Sequence, residues 1–251
     1  MINILMHGCN GKMGQVITHL AAEDDNVTIA AGVDAYDGIA NDYPVFSSLN
    51  DCNIDVDVII DFSNAQAVDG LLDYAVASKT PVVLCTTGLS EEQLDKVEAA
   101  SKHVAVLRSA NMSIGINVIL KLLKEAVSRF APEGFDVEIV EKHHNQKLDA
   151  PSGTAIALAD AMNEEMNGMY EYVYDRSQVR KKRGKKELGI SAIRGGNIVG
   201  EHDVIFAGTD EVITISHSAH SKAIFAKGAI AAAKYLAGRT PGLYDKSDVM
   251  A

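Results

Sequence analysis

The fifteen residues "EKHHNQKLDAPSGTA", Glu141 to Ala155, crowd two adjacent histidines, a lysine four residues after His143 and a Ser-Gly-Thr behind a proline into one stretch. A histidine that titrates near neutrality can hand a proton to a centre that has just taken on negative charge, and a lysine can stabilise that anion or donate in turn. His143 is therefore the expected acid and Lys147 its cationic partner. Ser152, Gly153 and Thr154 read as the opening of a helix, where unpaired amides and hydroxyls can hold a carboxylate and Gly153 leaves the backbone open to approach. Pro151 presets the chain for the first turn. His144, on the opposite side of an extended chain from His143, is expected to point elsewhere. Taken alone, the stretch is equally a polar loop ending in a helix cap.

A second candidate lies at the other end of the chain. "HGCNGKMGQ" sets Gly8, Gly11 and Gly14 directly after an apolar run and before a helical pattern, an arrangement that lets backbone amides and the positive helix end approach a pyrophosphate. The spacing differs from the common G-x-G-x-x-G. Asp34, 20 residues beyond Gly14, stands where a carboxylate can accept hydrogen bonds from ribose hydroxyls. It favours a free 2'-hydroxyl over a 2'-phosphate, and Ala35 supplies no compensating cation, so NADH is expected in preference to NADPH. Lys12 leaves room for NADPH to be tolerated. Further along, "CTTG" offers Thr86 and Thr87 for the nicotinamide ribose or ring, and "SANMS", Ser109 to Ser113, is both a hinge and a cofactor contact. Cys9 and Cys85 in these loops read as small packing residues.

The elements that must carry these groups follow from the apolar pattern. "INILM", "VTIAAGV", "VDVIIDF", "PVVLC" and "VAVL" are short β-branched runs separated by helical segments at Met13 to Ala22, Ala65 to Ser78 and Glu91 to Ser101, the last opened by the capping box of Ser90 and Gln93. Such alternation predicts a parallel sheet covered on both faces, the doubly wound α/β plan. After Leu107 the rhythm changes. Helices at Ser113 to Arg129 and Thr154 to Met166 alternate with "FDVEIVE", and then "LGISAI", "HDVIFAG" and "EVITISH" follow without helices between them, as in an α+β mixed sheet. "RGGNIVGEH" could bring Arg194, Glu201 or His202 to the substrate, or be only a hairpin turn. The tail from Ser221 to Leu236 is helical and packs back on the first domain. The expected divisions are residues 1–111, 112–217 and the returning 218–251.

Composition limits the partners. A net charge of -11 opposes non-specific binding to nucleic acid or an anionic membrane, although "RKKRGKK", Arg180 to Lys186, puts six cations in seven residues. That run is either a solvated loop or a device that draws a small anion to the site. Three scattered cysteines suggest neither a disulfide framework nor a metal site, and no histidine or cysteine pair has helical zinc-ligand spacing, so no metal is expected. The N-terminus lacks a basic leader pattern, and the late apolar segment is broken by Lys227 and Lys234. A cytoplasmic protein without a membrane span is the expectation.

With the glycine loop in front and the 141–155 block behind, the chain resembles the 4-hydroxy-tetrahydrodipicolinate reductases, also called dihydrodipicolinate reductases. The likeness covers nearly the full length: "GKMG", "CTTG", "SANMSIGIN", the histidine block, "RGGNIVGEHDVIFAG" and the tail "FAKGAIAAAKYL" with "PGLYD". The resemblance implies an NADH- or NADPH-dependent reductase of lysine and diaminopimelate biosynthesis, acting on a cyclic dicarboxylate. It implies a dinucleotide-binding domain completed by the C-terminal tail, and a mixed-sheet substrate domain that forms a homotetramer. It assigns proton transfer to His143 and Lys147 and substrate contacts to His144, Ser152, Gly153 and Thr154. The cofactor contacts fall on the stretch Gly8, Cys9, Asn10, Gly11, Lys12, Met13 and Gly14, on Asp34, on Cys85, Thr86 and Thr87, and on Ser109, Ala110, Asn111 and Met112. Two positions depart from the family pattern: Ala35 follows the acid where arginine is frequent, and Cys85 stands where glycine is usual. Other readings remain open at this point: a nicotinamide-dependent dehydrogenase of a small amino or keto acid, a dinucleotide sensor without turnover, or a metal hydrolase using His143, His144 and Asp149.

Overall fold

A computed structural model describes residues 1–109 and 111–249. Ala110, one of the expected cofactor contacts, lies outside the described residues. In chain order the elements are β1 (Ile2–His7), α1 (Lys12–Ala22), β2 (Val27–Val33), β3 (Val45–Phe46), β4 (Val58–Asp61), α2 (Val68–Ser78), β5 (Val82–Leu84), α3 (Glu91–Ser101) and β6 (Ala105–Arg108). There follow α4 (Ile114–Phe130), β7 (Asp136–His143), α5 (Gly153–Glu165), β8 (Glu171–Val173), β9 (Glu187–Arg194), β10 (Gly200–Ala207) and β11 (Val212–Ala219). The chain ends with α6 (Ala223–Leu236), β12 (Gly242–Tyr244) and α7 (Lys246–Val249). Two compact units result, one of Met1–Ile114 with Lys222–Ala251 and one of Gly115–Ser221.

The first unit is a seven-stranded sheet in the order β12-β6-β5-β4-β1-β2-β3, and every pairing in it is parallel. Its strands are apolar on both faces because both are covered, as parallel sheets require. On one face Ile4, Met6, Val58 and Ile60 pack with Ile17 and Ala21 of α1 and with the alanine-rich α6. On the other, Leu5, Ile59, Leu84 and Val106 pack with Leu71 and Leu72 of α2 and Val97 of α3. The Ser90–Gln93 capping box opens α3 as expected. The returning tail completes this unit. α6 is seated by Gly228, where any side chain would run into the backbone carbonyl of Met112, and β12 extends the sheet beyond β6. The order reverses between β1 and β4, the place where doubly wound sheets bind ligands.

The second unit is a mixed five-stranded sheet, β11-β10-β7-β9-β8. β7 pairs in parallel with β9 and antiparallel with β10. β9 and β10 therefore flank β7 rather than forming a hairpin with each other. The turn at 195–199 passes across the end of β7, which brings residues from three strands to one place. Burial alternates along β7, with Val137, Ile139, Glu141 and His143 buried. That face packs on Leu123 and Val127 of α4 and on Leu158 and Met162 of α5.

Candidate active site

The loop after β1 has the shape of a phosphate cradle. Gly8 has φ of +82°, a conformation that favours glycine, and a side chain there would sit 2.6 Å from the Phe62 carbonyl. Gly14 lies against the carbonyls of Gly8 and Cys9 with no room for a side chain. Gly11 is the N-cap of α1 and supplies no side-chain cap, which leaves the first amides of the helix for a ligand. At the end of β2, the Asp34 carboxylate accepts the backbone N–H of Asn10 at 2.9 Å and of Tyr36 at 3.0 Å. Those bonds tie the carboxylate to the loop and leave lone pairs for a hydroxyl-bearing partner. The cradle fits a dinucleotide.

Other expected cofactor residues divide by what their side chains do. Cys9 and Cys85 are buried in the core. Burial, with Asp34 nearby, pushes the Cys9 thiol up to about 11; burial, with Asp61, pushes Cys85 well above its usual range. Both are packing groups. The Thr86 hydroxyl donates to Asp61 at 2.6 Å, whereas Thr87 is exposed. Lys12 is exposed and Met13 half-buried on the first turn of α1. The Ser109 hydroxyl donates to the Asn111 carbonyl at 2.8 Å, the Asn111 side chain accepts the Ser113 amide at 2.9 Å, and Met112 is buried.

Asp61 was not foreseen. It is fully buried at the end of β4, where it bonds the His7 ring Nδ1 at 2.8 Å and accepts the Ser63 hydroxyl at 2.6 Å besides Thr86. One carboxylate thus ties together the ends of β1, β4 and β5 at the reversal point of the sheet. A charged residue closing an otherwise apolar strand, "VIID", was the available signal.

In the second unit the histidine block gathers at the ends of β7, β9 and β10. Glu141, fully buried, accepts two bonds from Arg194, Nη1 to Oε2 at 2.8 Å and Nη2 to Oε1 at 2.7 Å. It also accepts the Ser152 amide at 2.9 Å and meets the His143 Nδ1 at 2.6 Å. Burial alone would raise this carboxyl, but the hydrogen bonds from Arg194, His143 and the Ser152 amide outweigh it and hold it below the usual carboxylate range. Burial lowers the His143 imidazole, against the pull of Glu141.

Ser152 is the N-cap of α5, its Oγ accepting the Ala155 amide at 3.1 Å and lying 3.0 Å from the His202 Nε2. The helix therefore starts at Gly153, and Pro151 stands before the cap rather than in the first turn. Gly153 is exposed and Thr154 half-buried on that first turn. Lys147, 22 % exposed, pairs with Asp149 at 2.8 Å. His144 follows the end of β7, half-buried, and its Nδ1 accepts the Gln146 amide at 3.2 Å.

Of the three residues that "RGGNIVGEH" offered, Arg194 and His202 join the site. Glu201 faces the other side of the sheet, where it pairs with Lys142 at 2.9 Å. The basic run does not lie over the site. Arg183 is bound to Asp136 at 2.7 Å and Glu138 at 2.9 Å, at the start of β7, while His143 is at its end.

The family model described as "Dihydrodipicolinate reductase, N-terminus" matches residues 2–112, and "Dihydrodipicolinate reductase, C-terminus" matches 115–250. The chain belongs to the dihydrodipicolinate reductase family. Curated relatives named 4-hydroxy-tetrahydrodipicolinate reductase agree. That of Caldanaerobacter subterraneus subsp. tengcongensis is 54 % identical over 100 % of this chain and 98 % of its own. That of Brachyspira hyodysenteriae is 40 % identical over 100 % of both. Among solved structures, a dipicolinate-bound dihydrodipicolinate reductase from Paenisporosarcina sp. TG-14 superposes with a TM-score of 0.82 at 23 % identity, covering 100 % of each chain. The chain is accordingly an oxidoreductase of amino-acid biosynthesis. Membership in the dihydrodipicolinate reductase family accounts for the 141–155 block, which neither a general dehydrogenase, a sensor nor a metal hydrolase explains.

Proposed function

We propose that this chain reduces 4-hydroxy-tetrahydrodipicolinate to tetrahydrodipicolinate in diaminopimelate and lysine biosynthesis. The substrate takes up a hydride from the reduced cofactor and a proton and releases its hydroxyl as water. The observation that carries the reading is the meeting, at the ends of β7, β9 and β10, of a buried histidine, a half-buried lysine and the N-terminus of α5, whose Gly153 amide already holds a carboxylate, that of Asp149. Together they offer an acid, a cation and an anion receptor for a cyclic dicarboxylate.

A nicotinamide cofactor held by the Gly8–Gly14 loop, Asp34 and the segments at Thr86–Thr87 and Ser109–Met112 supplies the hydride. Asp34 would accept the adenosine ribose hydroxyls, and with Ala35 beside it NADH is preferred over NADPH. In the second unit Ser152, Gly153 and Thr154 receive one carboxylate at the N-terminus of α5, with His144 as a further contact. His143 protonates the centre that becomes electron-rich as hydride arrives. Lys147 stabilises that charge, exchanging Asp149 for the substrate.

The protein works as a homotetramer. The outward face of the second sheet carries Val140, Ile193, Ile205 and Val212 among the Lys142–Glu201 and Lys142–Asp203 pairs, a mixed apolar and charged surface suited to a second copy of the chain. The free thiols of Cys9, Cys52 and Cys85 suit a reducing, cytoplasmic compartment.

The test mixes the enzymatically generated condensation product of aspartate semialdehyde and pyruvate with the protein and NADH or NADPH, and follows loss of reduced-nicotinamide absorbance. Turnover with a higher kcat/KM for NADH is expected. Replacing His143 or Lys147 by alanine lowers kcat by about 100-fold or more. No turnover with either cofactor, or variants that keep wild-type kcat, would defeat the reading.

A further inference from the structure

The geometry points to Glu141 as a positioning residue that holds His143 as its Nδ1–H tautomer, so that Nε2 is the nitrogen that carries and releases the transferred proton. This rests on the proposed role of His143 as the acid. The argument starts from what each neighbour of Glu141 is able to do. The guanidinium of Arg194 and the amide of Ser152 can only donate, and they approach both carboxylate oxygens. A carboxyl that meets three donors this way is ionised, and an ionised carboxylate can only accept. The fourth contact, the His143 Nδ1 at 2.6 Å from Oε2, must therefore also be a donor. Neutral His143 then has its lone pair on Nε2, and the imidazolium has its second hydrogen there.

The surroundings of the ring point the same way. A side chain at Gly200 would lie 3.1 Å from Nε2, so the absence of one on β10 leaves that edge of the imidazole uncrowded. The ring stands edge-on to His202, with centroids 5.2 Å apart, and is 8 % exposed. The titratable and charged groups around it are Glu141 on β7, Arg194 on β9, Lys147 in the following loop, and His202 on β10 backed by His217 on β11. Glu141 is the carboxylate bonded to the ring, while Asp149 pairs with Lys147 at 2.8 Å. The two cations raise the cost of protonating the ring and Glu141 offsets it, through the bond that also orients the ring. In the proton step the Nε2–H bond breaks, its electron pair stays on the ring, and the proton goes to the reduced substrate. The Nδ1–H remains on Glu141 throughout. Glu141 acts on the proton step through His143, as the carboxylate partners of catalytic histidines do, while its bonds to Arg194 and the Ser152 amide fix its own place.

The experiment has a part that needs no turnover. In long-range 1H–15N spectra of the wild-type protein, with His143 assigned by its loss in His143→Asn, neutral His143 shows a protonated Nδ1 and an unprotonated Nε2. That is the reverse of the tautomer free imidazole side chains favour. In Glu141→Gln the signal moves toward the other tautomer, kcat falls by about 10- to 100-fold as for other lost histidine-orienting partners, and the alkaline limb of the pH–rate profile shifts to lower pH. A wild-type spectrum with the hydrogen on Nε2 overturns the inference, as does a folded Glu141→Gln that keeps both kcat and the alkaline limb. If Glu141→Gln does not fold, the wild-type spectrum decides. If instead His143→Ala retains full activity, the acid assignment fails while the spectrum still reads the tautomer, so the two failures are separable.

Discussion

His202 is 5 % exposed with its Nε2 against the Ser152 hydroxyl, and burial pushes its pKa down to about 4. Unfolded, the same side chain titrates near its ordinary value of about 6.5. Between those two values the unfolded chain binds the proton and the folded chain refuses it, so stability rises with pH through this window and is lost as pH falls from about 6.5 toward 4. The full loss is about 3 kcal/mol. His143 and His217, both lowered first by burial, add in the same direction. Urea unfolding at pH 7.5 and pH 5 should show the wild-type protein weaker at pH 5, and His202→Phe should shrink that difference; an unchanged pH dependence in the variant would refute the assignment. Ser152 caps α5 and is proposed above to hold the substrate. Ser152→Ala removes the cap of α5, costing about 1 kcal/mol, and on that proposal also removes a donor for the substrate carboxylate. It should therefore raise KM while leaving kcat within a few-fold, and a variant with lowered stability and unaltered KM would assign Ser152 to the cap alone.

At the scale of elements, what was readable in advance depended on how local its cause is. β1, β2, β4, β5 and β6 announced themselves as β-branched runs between helical patterns, and the Ser90–Gln93 box marked the start of α3. β3, β8 and β12, two or three residues long, are strands only because a neighbour pairs with them, and nothing in so few residues has a period. The same limit left the site's second half undecided between a substrate contact and a hairpin turn. Glu141, His143 and Ser152 lie in one legible block, but Arg194 and His202 reach them only because β7 inserts between β9 and β10, a pairing decided across the whole unit. The basic run could not be placed in advance for the converse reason. Its charge is obvious in sequence, while its place is set by Arg183 gripping Asp136 and Glu138 at the start of β7, about 23 Å of strand away from His143. Neutralising Lys181, Lys182, Lys185 and Lys186 to glutamine should accordingly leave KM and its salt dependence within about two-fold, whereas Arg183→Ala, which strips Asp136 of its partner and leaves Glu138 with Arg176 alone, should lower the unfolding free energy by about 1–3 kcal/mol. A several-fold rise in KM for the lysine variant, measured from 50 to 300 mM salt, would restore the run as a steering device.

At the scale of the whole molecule, the second sheet has one face packed on α4 and α5, and against its other face no helix of that unit packs among the described residues. Along β7 and β10 that outward face alternates Val140 and Ile205 with Glu138, Lys142, Glu201 and Asp203, and the register sets Ile205 opposite Glu138 and next to Thr214. Val212 and Ile193, 63 % and 47 % exposed, sit on the same face. The two ion pairs of Lys142 are only partly exposed, and such pairs contribute little on an open surface. In the proposed tetramer they would act as fixed charges that set the register between copies. Ile205→Glu would put a carboxylate beside Glu138 and Asp203 in the middle of that surface. It points away from the core residues Val204 and Phe206, so the protomer should fold with its unfolding midpoint close to wild type. Burying an unpaired carboxylate between copies, however, costs far more than the apolar contact it replaces. Sedimentation equilibrium should therefore find the wild-type chain at four times the protomer mass and the variant at one or two times that mass, with both still binding dinucleotide, since the glycine loop belongs to the other unit. A variant that stays tetrameric, or a wild-type chain that is monomeric at micromolar concentration, would remove this face as the assembly surface.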